Sequence, residues 1–463
     1  MNKPNILFIM LDQLRYDCVG AGKQYPVYTP NIDRLASEGV WFSNAYTPIP
    51  ICCPSRQALI NGRRPEAFGA LWNYTSGLSI PALEPTEYAW PRDLNNHSYR
   101  KVFLGKWDVH PTLPPTKYGY DTYIGYDGYK EMIARSYPNV RYDAGYFGER
   151  DPIPVEHSKT HWLADQACAS IRELVKSEDP WYVQLHFTEP HLPCRPSGKF
   201  ADMYSPEDIP QWGGFNETFN NKPYIQRQQL YNWQIQDFTW EDWAPIVARY
   251  YGMISQVDDA IGKVLQALEQ TKALENTIVI FTSDHGDMCG SHRMMDKHYI
   301  LYDDVVKVPL IIKYPGVAKR GHRCEQFVYN MLDIPPTLLE VLELPAPSFF
   351  HGRSLLPLLK EDESASDWRT QVVSTYNGQQ FGLFTQRMLR TENWKYIWNT
   401  TDVDELYNLI QDPYELTNLI YDESCTELIK EYRGLLYHQL YKEGDGLVRN
   451  EWIRNQLLQS NKL

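Results

Sequence analysis

Positive charge is in short supply in this sequence. Lys and Arg number 45 against 58 Asp and Glu, a formal charge of −13. That sign disfavours nucleic acid, anionic membrane surfaces and long polyanionic polymers as partners, unless a local basic pocket overrides the global field. No apolar run reaches the roughly 18–20 residues that cross a bilayer. The first residues, MNKPNILFIMLDQ, lack a signal peptide's layout, because the short apolar run ends in Asp12 and no small-residue cleavage site follows. The reading is a cytoplasmic protein, or a periplasmic or secreted one if a leader has been removed. Cysteine is sparse too. The eight thiols at positions 18, 52, 53, 168, 194, 289, 324 and 425 show no metal-clip spacing and are too thin for a disulfide scaffold. Most are expected to be buried and free. There is no Gly/Ser-rich linker and no internal repeat.

Hydrophobic residues make up 43% of the 463, enough for a large core, and aromatics are plentiful, with 14 Trp and 33 Tyr. Several short apolar runs each stop at a polar group. NILFIML stops at Asp12, KVFLG at Lys106, TIVIFTS at Asp284 and VPLIIKY at Pro315, while WYVQLHF runs to Thr188, Glu189 and His191. These read as buried strands of a mostly parallel sheet. Helical patterns lie between them: TPNIDRLASEGV, HWLADQACASIRELVKS and IVARYYGMISQVDDAIGKVLQALEQ. Strand and helix alternate, so the expected class is α/β, a large sheet sandwiched by helices. Ligands of such sheets bind at the carboxyl ends of the strands, and those ends carry the charged residues just named.

After about residue 365 the texture changes to short strands with turns, then a helix near SCTELIKEYRGLLYHQLYKE. The division expected is a catalytic α/β domain over 1–365 and a smaller domain over 366–463, an antiparallel sheet with a packing helix, docked firmly. Residues 196–245 are rich in Pro, Trp, Asn and Gln with weak periodicity. They read as a long loop forming a wall of the substrate pocket.

Asp12 and Gln13 close one strand, and Asp284 and His285 follow another. Together they could hold one divalent cation in an oxygen-rich site with one nitrogen. With only two charged ligands, the cation would keep positive charge for a substrate and act as a Lewis acid. The segment PIPICCPSRQALINGRRP places Cys52 and Cys53 at the head of a helix closed by Gly62. A helix N-terminus favours an anion, and Arg56 adds charge beside it. Such a place would lower a thiol pKa or hold an oxyanion such as sulfate, but two buried structural thiols explain the pattern equally well.

Cys52-Cys53-Pro54-Ser55-Arg56 resembles the C-x-P-S-R signature of the type I sulfatases, the formylglycine-dependent family of the alkaline phosphatase superfamily. The resemblance spreads along nearly the whole chain, through PNILFIMLDQLRYD, TPNIDRLASEGVWFSNAYT, LGKWD, TEPHLP, FTSDHGDMCGSHRMMDKHYILYDDVVKVPLII, LDIPPTLLEVLELPAPSFFHGRSLLPLL and DELYNLIQDPYELTNL. It implies that Cys52, two residues before Pro54, is oxidised to formylglycine by a maturation enzyme, and that Cys53 is a packed thiol. It implies that Asp12, Gln13, Asp284, His285 and modified Cys52 bind one divalent cation, calcium first, with magnesium or manganese as alternatives. Arg56 matches the arginine that steadies the formylglycine. Lys106, His191 and Lys297 match groups that bind the sulfate or protonate the leaving oxygen. The implied reaction is attack on sulfur by one hydroxyl of the aldehyde hydrate, followed by collapse of the sulfo-enzyme through the second.

One departure stands out. The family has a histidine after GKW, and this chain has Asp108. Either Asp108 takes that base role or His110 swings in, and Asp108 would repel sulfate unless paired with Lys106 or the metal. The Asp-Gln pair also appears in relatives that cleave phosphonate and phosphate esters. The function expected is hydrolysis of a small sulfate ester, a sulfated sugar or an aryl sulfate. The rivals are a phosphonate or phosphate diester hydrolase and an inactive binder of sulfated ligands. His186 and His298 read as structural and Asp287 and His292 as braces of the metal loop. Trp72, Asn73 and Tyr74 read as pocket lining or packing, the basic stretch at Gly62–Arg64 as a helix C-terminus, and the loops 110–150 and 196–245 as the seat of specificity. The oligomeric state is not legible.

Overall fold

The apolar runs become strands because each is too short for a helix of the core and is rich in β-branched and aromatic residues. In the computed structural model, which describes residues 3–74, 80–361, 366–378, 380, 382–460 and 462, strands β1 (Asn5–Asp12), β2 (Val40–Tyr46), β3 (Arg100–Gly105), β4 (Thr122–Ile124), β5 (Trp181–Pro190), β6 (Thr277–Ser283), β7 (Leu310–Lys313) and β8 (His322–Tyr329) build one sheet. Its order is β4-β3-β5-β1-β6-β7-β2-β8. Only β7 runs against its neighbours; VPLIIKY thus supplies the antiparallel member of a mostly parallel sheet.

The register lays Phe8 beside Gln184 on one side and Ile280 on the other. Every residue of β6 is buried, so both faces of the sheet centre are covered, as a parallel sheet requires. Helices do the covering: α1 (Pro30–Glu38), α2 (Cys52–Asn61), α3 (Asp127–Ser136), α4 (Lys159–Leu174), α5 (Gly198–Ala201), α6 (Tyr224–Trp233), α7 (Trp240–Gln270), α8 (Asp303–Val306), α9 (Ile334–Val341) and α10 (Leu356–Lys360). The α1, α4 and α7 helices pack on one another and on β3, β5 and β7, while α2 packs with α9. No helix among the described residues is long and apolar enough to cross a membrane.

Four neighbouring strands, β3, β5, β1 and β6, run parallel. Their carboxyl ends therefore share one edge. Asp12 ends β1, and Lys106, His191 and Asp284 each lie one residue beyond β3, β5 and β6. Gly105 makes the turn after β3 possible. Its φ is +89°, and a Cβ there would sit 2.0 Å from the carbonyl oxygen of His186.

The C-terminal strands β9 (Gln371–Gly378), β10 (Phe384–Thr391), β11 (Trp394–Asn399) and β12 (Glu405–Asn408) form a separate antiparallel sheet, backed by α11 (Thr426–Lys442) and α12 (Glu451–Gln459). Alternation splits its faces. Val373, Leu389, Tyr396 and Leu406 pack against Ile429, Tyr432 and Leu436, whereas Val372, Tyr376, Met388 and Ile397 join the main core. A second anchor is electrostatic: the buried Lys395 ammonium reaches Asp303 Oδ1 at 2.7 Å and Glu415 Oε1 at 2.6 Å. The division expected between residues 365 and 366 lies at the end of the segment 362–365, which is outside the described residues.

Residues 196–245 are not one long loop. They hold α5, α6 and the first turn of α7. Periodicity misses α6 because its buried face includes two glutamines. Gln226 donates to Glu405 at 3.2 Å, and Gln229 donates to the His298 carbonyl at 2.9 Å while accepting from the Met295 N–H at 3.3 Å. Likewise the stretch 110–150 carries β4 and α3.

Candidate active site

Cys52 is the first residue of α2, and Arg56 lies one turn later on the same face. Both point at the ends of β1 and β6. The Arg56 guanidinium, fully buried, donates to Asp284 Oδ2 from Nε (3.1 Å) and Nη2 (2.8 Å), to Asp12 Oδ2 (3.1 Å) and to the Lys106 carbonyl (3.0 Å). Its Nη1 is also 3.0 Å from His186 Nδ1. Burial, and then Arg56, push the His186 imidazole well below its usual range, so it stays neutral behind the arginine.

Ligand-type atoms of Asp12, Cys52, Asp284 and His285 all lie within 4.8 Å of one another, and all four residues are buried. Cys52 Sγ is 3.3 Å from His285 Nε2 and 3.7 Å from Asp12 Oδ1. His285 Nδ1 is 2.9 Å from the Gly286 carbonyl. A proton on Nδ1 leaves the Nε2 lone pair facing the cluster, the arrangement that a metal-binding imidazole needs. Burial and the neighbouring Asp12 push the Asp284 carboxyl up, which a cation between the two carboxylates would reverse. Two carboxylates, an imidazole and the Cys52 position thus fit a divalent cation. Gln13 meets this cluster through its backbone N–H, 3.1 Å from Asp284 Oδ1. Its side-chain amide donates to Asp287 (2.5 Å) and Asp296 (2.9 Å) and accepts from Lys297 Nζ (3.0 Å).

The two adjacent thiols differ. Burial and Asp12 push the Cys52 thiol up, but Lys106, Lys297 and His285 outweigh them and hold it well below its ordinary value. Burial and Asp108 push Cys53 well above. The Cys53 backbone N–H donates to Asn73 Oδ1 at 3.0 Å.

Lys106 forms an ion pair with Asp12 and another with Asp108 Oδ2 at 3.1 Å. Asp108 is therefore beside the cluster and neutralised by the lysine. His110 is not brought there. Its Nδ1 accepts the N–H groups of Thr112 (3.2 Å) and Leu113 (3.0 Å), which fastens the ring to its own loop. Lys297 Nζ lies 2.9 Å from His191 Nε2, and His191 Nδ1 is 2.7 Å from the Leu192 carbonyl. Burial disfavours the Lys297 charge, yet Asp296, 3.4 Å away, helps to raise its affinity for the proton above the ordinary value.

Asp296 escaped sequence reasoning. It accepts from Gln13, pairs with Lys297 and faces His298 Nε2 at 3.3 Å; its only signal was adjacency to Lys297. His298 also lies 3.1 Å from the Tyr376 hydroxyl of the second sheet. Asp287 and His292 sit in the loop behind: Asp287 accepts from Gln13 and the Cys289 N–H, and His292 faces Glu217 at 2.7 Å. Gln13, Asp108 and Asp296 have φ of 71°, 49° and 67°. Left-handed backbone at non-glycine residues, gathered at one place, is characteristic of functional sites.

Known proteins give this geometry a context. The family model described as Sulfatase matches residues 4–344, and one described as N-sulphoglucosamine sulphohydrolase, C-terminal, matches residues 290–442. An arylsulfatase of Clostridium perfringens is 28% identical, with 96% of this chain and 98% of that protein covered. A Δ4,5-hexuronate-2-O-sulfatase of Bacteroides thetaiotaomicron is 27% identical, covering 96% and 90%. Among solved structures, the phosphonate monoester hydrolase of Agrobacterium radiobacter superimposes with a TM-score of 0.82 at 26% identity, covering 95% of this chain and 96% of that one. With the first model spanning most of the chain and its matched segment containing the whole Asp12–Cys52–Asp284–His285 cluster, the chain belongs to the sulfatase family.

Proposed function

We propose that this sulfuric ester hydrolase acts on a small sulfated carbohydrate, with Cys52, oxidised to formylglycine by a maturation enzyme, as its nucleophile. The observation that carries the reading is the Cys52 side chain itself, at the head of α2, facing two carboxylates and an imidazole and flanked by Lys106 and Lys297. When bound, a divalent cation held by Asp12, Asp284, His285 and the oxidised Cys52, with Gln13 as a fifth candidate, supplies Lewis-acid polarisation of the sulfate and of the nucleophilic oxygen. Calcium suits an oxygen-rich donor set best, and magnesium or manganese are the alternatives. Once water has added to the formylglycine aldehyde, its hydrate supplies an oxygen nucleophile with a second hydroxyl on the same carbon.

The chain's own groups do the rest. Lys106 and Lys297 both act on the Cys52 position and offer fixed positive charge to oxygens that gain charge during transfer. Arg56 holds Asp12 and Asp284 in place from behind. The departing alcohol needs a proton, and the Lys297–His191 pair holds one at hydrogen-bond distance, between Nζ and Nε2. Asp108, steadied by Lys106, is the base available for the return step. The test is peptide mass spectrometry across Ile51–Arg56 on protein made alongside a maturase, followed by measurement of sulfate release. Aldehyde at Cys52 with a free thiol at Cys53 and hydrolysis of sulfate esters is the expected result. Oxidised Cys52 with no release from any ester would refute it.

A phosphonate or phosphate diesterase reading is favoured by one observation, the close fit to a phosphonate monoester hydrolase. Parallel rates on matched sulfate and phosphonate esters decide between them.

A further inference from the structure

A cavity of about 760 Å³ opens directly over the catalytic side chains His191 and Lys297. Two of its walls come from the stretches read as the seat of specificity. From 110–150 comes the turn Gly145–Phe147, whose Tyr146 is 60% exposed. From 196–245 comes the C-terminal end of α6, with Asn232, Trp233 and Gln234. The Tyr146 and Trp233 rings meet edge-on, at 5.3 Å and 90°.

Neither wall is loose. Glu149 accepts the backbone N–H groups of Asp143 (3.2 Å) and Ala144 (3.0 Å), and Phe147 packs on Phe238 at 5.5 Å. The α6 helix is bonded through Gln229 to the backbone of Met295 and His298, on either side of Lys297. The aromatic corner is therefore held at a fixed place relative to the group that faces the leaving oxygen.

The chemistry of the walls selects a ligand. An exposed aromatic face takes the C–H face of a flat, partly apolar ring. Side-chain amides exchange hydrogen bonds with hydroxyls, and Asn232 Oδ1 already accepts from Gln228 at 3.1 Å, leaving its N–H groups for a ligand. The charges are nearly balanced. Lys297 and Asp296 are paired with each other, and the remaining carboxylate, Asp143, is exposed at the rim. A second anionic group on the ligand would meet that carboxylate and be repelled.

Resting on the sulfatase reading above, we propose that the Tyr146–Trp233 corner binds the pyranose ring of a monosulfated, otherwise uncharged sugar, with Tyr146 stacked on the ring face and Asp143 disfavouring a second anion. Tyr146, Trp233 and Asp143 are specificity-determining residues that touch no reacting atom.

The experiment uses matured full-length enzyme and these probes: glucose 6-sulfate, galactose 6-sulfate, N-acetylglucosamine 6-sulfate, N-acetylgalactosamine 4-sulfate, glucosamine 2-N,6-O-disulfate, 4-nitrophenyl sulfate and methyl sulfate. At least one monosulfated sugar is expected to exceed methyl sulfate at least tenfold in kcat/KM. Tyr146→Ala is expected to cut that ratio at least tenfold, mostly through KM, and Tyr146→Phe to restore it. Asp143→Asn should raise the relative kcat/KM for the disulfate at least threefold. A wild-type enzyme that prefers 4-nitrophenyl or methyl sulfate over every sugar sulfate overturns the assignment and leaves the sulfatase reading standing. So does a ratio unmoved by Tyr146→Ala. No release from any ester, methyl sulfate included, in protein with oxidised Cys52 overturns the sulfatase reading, and this assignment with it.

Discussion

Arg56 and Asp284 are joined by two hydrogen bonds, 3.1 and 2.8 Å long, in a place with no solvent exposure on either side. The same guanidinium holds Asp12. Removing one partner of a buried pair leaves an uncompensated charge, at a cost of about 3–5 kcal/mol. Arg56→Ala should therefore lose about that much stability in urea denaturation, and Arg56→Lys should recover only part of it, because an ammonium cannot reproduce the fork of donors. Unchanged stability in Arg56→Ala would contradict the pairing.

Divalent cation should stabilise the fold as well as serve the reaction. A ligand at a hundred times its dissociation constant adds about 2.7 kcal/mol. Chelation should lower the melting temperature, and calcium should restore it. Asp284→Asn should abolish the calcium-dependent part of the shift, read by calorimetry without any substrate. A melting temperature blind to chelator and to added calcium, magnesium and manganese would count against the site.

Asp108 and His110 separate kinetically. With Asp108 beside Lys106 and His110 fastened to its own loop, Asp108→Asn should lower kcat by about 10²–10³, within the range of general base catalysis. Release of the alcohol should then show a stoichiometric burst. His110→Ala should change kcat less than threefold. The reverse pattern would move the base role to His110.

Asp258 gives a pH signature away from the site. It accepts the backbone N–H groups of Asn31 (3.2 Å) and Ile32 (2.8 Å) at the start of α1, and burial pushes its carboxyl up to about 6. A folded-state value above the unfolded one means the native state holds the proton more tightly. The stabilisation is full below about pH 4 and is lost as pH rises to about 6, amounting to roughly 3 kcal/mol at 1.36 kcal/mol per unit. Wild type should lose stability relative to Asp258→Asn across that window and run parallel to it above. Parallel curves throughout would show that Asp258 does not titrate there.

The strand ends were legible because each apolar run stops at a group that cannot be buried unpaired, and parallel strands necessarily bring such ends to one edge. Asp12, Lys106, His191 and Asp284 follow from that logic alone. The α6 helix was not legible, since Gln226 and Gln229 fill its buried face with hydrogen bonds that no hydropathy pattern registers. Asp296 was hidden for a similar reason: its role depends on the left-handed backbone that turns it toward Gln13 and His298. The Tyr146–Trp233 corner joins residues 87 positions apart, and nothing local in either stretch announces the other.

Every residue of α2 is buried, and Cys52 is 2% exposed. If Cys52 is oxidised as proposed, the finished fold is a poor target, because the side chain is buried within a helix. Oxidation would then have to precede closure of the helix over the sheet edge. Folding and oxidation would compete, and a molecule that folds first would keep its thiol. Two preparations of identical sequence and identical melting behaviour can differ in specific activity, in proportion to how each cell ran that race.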